Sequence, residues 1–84
     1  MADFHLQIVT PLRVAFDENV ESLIAPGEDG YLGILADHAP LLTSLRNGTL
    51  TIRKGAETKT LELIGGGFLE VHKNKALVLA SKIQ

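Results

Sequence analysis

Short runs of alternating apolar and polar residues, each cut off by turn-forming residues, fill this chain almost from end to end. In Phe4-His5-Leu6-Gln7-Ile8-Val9 the apolar residues Phe4, Leu6 and Ile8 recur at every second position, which places them on one face of a strand. Pro11 ends that run because it cannot donate to a β-ladder. Val14-Ala15-Phe16 resumes it, and Asp17-Glu18-Asn19 reads as a turn. Val20 to Ala25 is the next strand, closed by Pro26-Gly27-Glu28-Asp29-Gly30, and Tyr31 to Leu35 follows. Leu41 to Leu45 is short and apolar. After it, Arg46-Asn47-Gly48 contains Asn-Gly, the strongest short hairpin signal, so a hairpin with Thr49 to Arg53 is expected. Lys54-Gly55-Ala56-Glu57 turns into Thr58 to Ile64, and Gly65-Gly66-Gly67 separates that run from Phe68 to His72. Lys73-Asn74-Lys75 then turns into a last strand, Ala76 to Ala80. No segment carries a helical period. Ala39 to Leu45, with Pro40 at its start, allows a single turn at most. Turn signals recurring every eight to twelve residues or about that indicate an all-β sandwich or barrel.

At 84 residues the chain is expected to be one domain, 1–84, since two cores of half that size would not hold themselves together. It has no cysteine, so neither a disulfide nor a thiolate metal site can staple it. A small unstapled domain has thin stability margins, and association with a partner is a natural further source of stability. Eight basic and ten acidic residues are well mixed and leave a net charge of −2. A nucleic-acid binder needs a clustered basic face, so no nucleic acid is expected as a partner. Met1-Ala2-Asp3-Phe4-His5 lacks the pattern of a signal peptide, and no apolar run reaches the length of a membrane span. The chain is expected to be soluble, without direct lipid insertion, and to reach a membrane through a protein partner.

No constellation points to catalysis. His5, His38 and His72 are scattered, with no second ligand type at metal spacing, so no metal site is expected. Asp37-His38 looks like half of a triad, but adjacent residues on one loop rarely orient each other in that way. None of Ser22, Ser44 and Ser81 lies in a nucleophile elbow. Gly27, Gly30 and Gly33 are followed by a strand, whereas a phosphate cradle needs a helix there. Gly65-Gly66-Gly67 reads as a bulge or as a place where another backbone comes close. In Ala39-Pro40-Leu41-Leu42 a strand would point one leucine inward and the other outward. The outward leucine, beside Pro40 and a loop histidine, can form the core of a small contact patch.

Gly30-Tyr31-Leu32-Gly33-Ile34-Leu35-Ala36-Asp37-His38-Ala39-Pro40-Leu41-Leu42 closely resembles the central signature of bacterial ATP synthase epsilon subunits. Ile8-Val9-Thr10-Pro11 with Val14 and Phe16, Val20-Glu21-Ser22 to Gly27, and Gly66-Gly67-Phe68-Leu69-Glu70-Val71 resemble the same family in the same order. The resemblance implies an all-β fold: a flattened sandwich of two five-stranded sheets with about ten short strands. It also implies a non-catalytic rotor part in the central stalk. Its partners would be the gamma subunit and the c-ring, on the cytoplasmic face of the bacterial plasma membrane. His38, Ala39, Pro40, Leu41 and Leu42 match the family segment associated with gamma. Glu28, Asp29, Gly30 and Tyr31 match the stretch facing the c-ring.

Three departures from the family pattern stand out. Asp37 replaces a frequent glycine, a swap that aspartate's tolerance of left-handed backbone accommodates. Tyr31 stands where an acidic residue is common and brings no carboxylate to that position. Gly65 replaces a usual serine. Family members commonly continue into two helices that brake ATP hydrolysis and in some cases bind ATP. Ser81-Lys82-Ile83-Gln84 stands where that hairpin would begin, so no cofactor and no ATP binding are expected of these residues. A free-standing β-sandwich adaptor for some other protein is the alternative reading.

Overall fold

The computed structural model describes residues 2–84, which form eight β-strands and no helix. In chain order they are β1 (Phe4–Val9), β2 (Val14–Val20), β3 (Ser22–Gly27), β4 (Gly30–Leu35), β5 (Leu41–Leu45), β6 (Gly48–Lys54), β7 (Glu57–His72) and β8 (Lys75–Ile83). At a rise of roughly 3.3 Å per residue a straight strand as long as β7 would extend about 50 Å. The molecule's longest dimension is 33 Å, so β7 must bend. Its second half belongs to a layer ordered β2-β1-β8-β7-β5. Its first half belongs to another, β4-β3-β6-β7, with the end of β8 alongside through Leu63↔Ile83. The β1–β8 pairing is parallel and the other strand pairings are antiparallel.

Each layer thus holds five strand segments, but eight continuous strands supply them where about ten were expected. The difference has a local cause at the corner. Gly65 and Gly66 take φ of 82° and 72°, and the β7–β8 register shifts between Ile64 and Gly67. The glycine run is therefore a bulge that lets one strand turn from layer to layer without ending. The close approach is internal: a Cβ on Gly67 would lie 2.1 Å from the Leu79 carbonyl oxygen.

The Asn-Gly hairpin expected between β5 and β6 does not form. Both strands pair with β7 instead, Leu45 opposite Gly67 and Gly48 opposite Leu63. Arg46-Asn47 is a jog that follows the same corner, and the Asn47 side chain secures it. Its Oδ1 accepts from the Gly65 and Gly66 amides at 2.7 and 3.2 Å. Asp17-Glu18-Asn19 is no turn either, because β2 pairs with β1 without interruption from Val20 to Phe16. These polar residues lie on an edge strand, where water can reach them without a turn.

Where β7 and β8 meet, Lys73 and Asn74 carry φ of 50° and 60°, the two left-handed residues of a type I′ hairpin. Side chains from both layers close one apolar core, with Leu6, Ile8, Leu23, Leu50, Leu63 and Leu69 among those fully buried. Among the described residues no polar or charged side chain is buried. Whatever chemistry the chain has is on its surface.

Candidate functional site

Strand β4 joins the two segments singled out by the sequence. Six residues at about 3.3 Å each put its ends roughly 20 Å apart. At its start, Gly27 pairs with Gly30, so Glu28 and Asp29 form the exposed tip of a two-residue turn. Gly30 has φ 130°, a conformation that a side chain resists. Tyr31 is about half exposed yet tethered, since its hydroxyl oxygen accepts from the Thr49 amide at 3.0 Å. The side chain therefore spans from the β3–β4 turn to β6 and brings its hydroxyl up to Gly48. With Arg46 and Asn47 it lines a shallow hollow beside the glycine bulge.

After the far end of β4, Asp37 takes φ 61°, so the loop keeps the left-handed turn expected of it. The Asp37 amide donates to Asn74 Oδ1 at 2.8 Å, and the His38 amide donates to the Leu35 carbonyl at 3.2 Å. His38 Nδ1 donates to the Ala39 carbonyl at 2.7 Å, which settles the ring against its own loop. Asn74 also donates from Nδ2 to the Asp3 carbonyl at 3.0 Å. One asparagine therefore ties the β7–β8 turn to this loop and to the N-terminal segment.

The two leucines divide as strand geometry demands. Leu41 packs against the core, while Leu42 is 72 % exposed. Leu42 does not stand alone. It lies opposite Glu70 on β7, and Phe68, two residues back on the same outward face, lies opposite both Ser44 and Leu79. Val9 pairs in turn with Leu79. Leu42, Phe68 and Leu79 are 72, 55 and 48 % exposed and give the outer face of this layer an apolar patch.

Neither Phe68 nor Leu79 stood out in the sequence. The signal for them was parity: Leu69 and Val71 fill the core, so Phe68 must face out. A shallow groove lined by Pro40, Leu42, Glu70 and His72 runs from this patch to the Asp37–Pro40 loop. The structure therefore brings Pro40 and Leu42 together with Glu70 and His72 of β7, and His38 and Ala39 precede them on the same loop. Glu28, Asp29, Gly30 and Tyr31 stand apart from them at the other end of β4. No cluster of three or more side chains suited to hold a metal ion occurs among the described residues.

A family described as the ATP synthase delta/epsilon chain β-sandwich domain matches residues 3–84. Among curated relatives, the ATP synthase epsilon chain of Pelotomaculum thermopropionicum is 51 % identical over 77 residues, covering 90 % of this chain and 56 % of its own length. That of Desulforamulus reducens is 47 % identical over 75 residues, with 89 and 56 % covered. The epsilon chain of Caulobacter vibrioides is 42 % identical over 80 residues, with 95 and 92 % covered. This chain thus spans little more than half of some relatives and nearly all of another.

Two solved assemblies contain a similar fold. One chain in the mitochondrial ATP synthase of Euglena gracilis (OSCP, F1 and c-ring) superposes with a TM-score of 0.92 at 20 % identity. It is matched over 100 % of this chain and 54 % of its own. Another, in the central stalk and c-ring of the Tetrahymena thermophila mitochondrial ATP synthase, gives 0.82 at 22 % identity, with 95 and 64 % covered. At such identities the likeness speaks for the fold, and the family follows from the sequence relatives. The chain belongs to the β-sandwich family of ATP synthase delta/epsilon chains.

Proposed function

We propose that this chain is a non-catalytic rotor subunit of a proton-translocating ATP synthase, joining the gamma subunit to the c-ring. The family match over residues 3–84 carries the reading. The surface agrees with it: the core is closed and apolar, and a second apolar patch remains on the outer face at Leu42, Phe68 and Leu79. In the proposed assembly His38, Ala39, Pro40, Leu42 and that patch meet gamma, with Leu41 supporting them from the core. The turn Glu28-Asp29-Gly30-Tyr31 faces the polar loops of the c-ring.

The task is mechanical. A sandwich whose two layers share β7 and β8 is a stiff block, and it transmits torque only if gripped at two separated places. The ends of β4 offer two such places. The subunit would sit on the cytoplasmic face of the bacterial plasma membrane, held there by its partners. These residues on their own are expected neither to catalyse nor to bind ATP.

The test is co-purification of the tagged chain with gamma and the catalytic subunits, followed by reconstitution of a complex depleted of its own epsilon chain. Restored coupling of proton flow to ATP synthesis is the expected outcome. A chain that recovers neither gamma nor coupling is no rotor subunit.

A further inference from the structure

Edge strand β2 is held to the sandwich by side-chain clamps on both of its faces. On the inner side, Glu18 forms an ion pair with Lys54 across the open mouth between β2 and the β6–β7 hairpin. That mouth is a cleft of about 360 Å³, also lined by Phe16, Ile52, Glu57 and Lys59. The Lys59 ammonium lies 5.6 Å from the centre of the Phe16 ring and adds a cation–π contact. On the outer face, His5 of β1 sits between two side chains of β2. Its Nδ1 is 2.8 Å from Asn19 Oδ1, and its Nε2 is paired with one carboxylate oxygen of Asp17. Gln7 donates to the other oxygen of Asp17 at 3.4 Å.

Both neighbours of the ring present oxygen, and a neutral imidazole has one N–H to give. We propose that His5 is a proton-operated latch on β2: the imidazolium donates to Asn19 and Asp17 at once, and the neutral ring releases one of them. The surroundings bear on this charge from several elements. Asp17 on β2 favours it, whereas Lys75, opposite His5 on β8, opposes it. Glu70 and His72 of β7 line the same shallow hollow.

The hydrogen bond to Asn19, and then that to Asp17, hold the His5 pKa above its ordinary 6.5. A group whose pKa is raised by folding stabilises the fold fully below its unfolded value. That contribution is lost as pH rises through the folded one. The latch is therefore closed below about pH 6.5 and opens as pH rises through the folded pKa, which lies above that value. The inner clamp does not share this behaviour, since Glu18 keeps the Lys54 ammonium above its ordinary 10.5.

The test is a carbon-edited NMR titration of the His5 ring together with amide hydrogen exchange, corrected for its intrinsic pH dependence, between about pH 5.5 and 8. The expected midpoint lies above 6.5, with β2 amides opening more often as pH rises and β6 amides not following. His5→Gln removes that dependence from β2. Asp17→Asn, which keeps the histidine, shifts the midpoint downward. A wild-type midpoint at or below 6.5 overturns the proposal. So does a pH dependence of β2 that is the same in His5→Gln, which is the result expected if the Asn19 amide simply rotates to serve the neutral ring.

Discussion

The two ends of β4 make opposite kinds of surface. At its end, the Asp37 loop is fixed by three hydrogen bonds within and around it, and it borders the exposed apolar side chains Leu42, Phe68 and Leu79. At its start, two acids cap a two-residue turn whose nearest side-chain anchor is Tyr31. Burying apolar area gives an interface its lifetime, whereas exposed charge mainly affects the rate of encounter and is screened by salt. A rotor part built this way would grip firmly at one end and contact more loosely at the other.

The largest effect is expected from the apolar end. Leu42→Asp or Phe68→Asp puts a charge at the centre of the proposed gamma contact, where the energy of an interface concentrates. Binding should weaken by about 3 kcal/mol, roughly a hundredfold or more. Both side chains point out of the sandwich, so the fold should survive. Phe68→Asp should hardly change the thermal midpoint, and Leu42→Asp should lower it only slightly through repulsion from Glu70 opposite it. Affinity for isolated gamma, measured by calorimetry alongside thermal unfolding, gives both answers. Unweakened binding with an intact fold would move the firm contact elsewhere and erase the contrast between the two ends.

Next in size is the anchor beneath that end. Asn74→Ala removes the bonds to the Asp37 amide and the Asp3 carbonyl and places alanine at φ 60°. Left-handed backbone costs a non-glycine residue about 1–2 kcal/mol, and each lost hydrogen bond about 1 kcal/mol when buried and less at this exposed site. A loss near 2 kcal/mol in urea unfolding is expected, with Asn74→Gly recovering the backbone part. Equal losses for the two variants would mean that the side-chain bonds alone hold the turn.

The all-β class and the division of Leu41 and Leu42 between the two faces were legible in the sequence because each depends on neighbours one or two residues away. The left-handed Asp37, in contrast, was expected only from the family resemblance. The corner was not. Gly65-Gly66-Gly67 announced an irregularity, but its use depends on Asn47, eighteen and nineteen residues upstream of the amides that it holds. For the same reason Asn-Gly misled: the long β7 ladder offered β5 and β6 better partners than each other. Asp17-Glu18-Asn19 misled in another way, since a polar triplet marks a turn or an exposed edge strand equally well. The apolar patch needed cross-strand register, because Phe68 and Leu79 are neighbours only once β7 and β8 pair.

At the start of β4 the effects should be smaller. Tyr31→Phe keeps the ring and deletes the hydroxyl that accepts from the Thr49 amide. An exposed neutral hydrogen bond contributes about 1 kcal/mol or less. The variant should lose at most that in unfolding, while amide exchange at Thr49 accelerates. A protected Thr49 in Tyr31→Phe would show that the β3–β4 turn is held without the tyrosine, and that this end is stiffer than the contrast allows.

The smallest effect concerns the acids themselves. Glu28 and Asp29 are both exposed on a tip with no ion-pair partner among the described residues, so they are free to meet cationic groups of the proposed c-ring contact. Exposed pairs contribute about 0–1 kcal/mol and are screened within about 10 Å at ordinary salt. Glu28→Gln with Asp29→Asn should therefore loosen coupling slightly at low ionic strength and not at all at high. The measurement is proton-pumping efficiency of reconstituted enzyme across a salt series, with the uncharged Leu42→Ala as the salt-independent comparison. If the double variant equals wild type at every salt concentration, the acids only keep the turn in water. The contact at this end would then rest on Tyr31 and the backbone around Gly30.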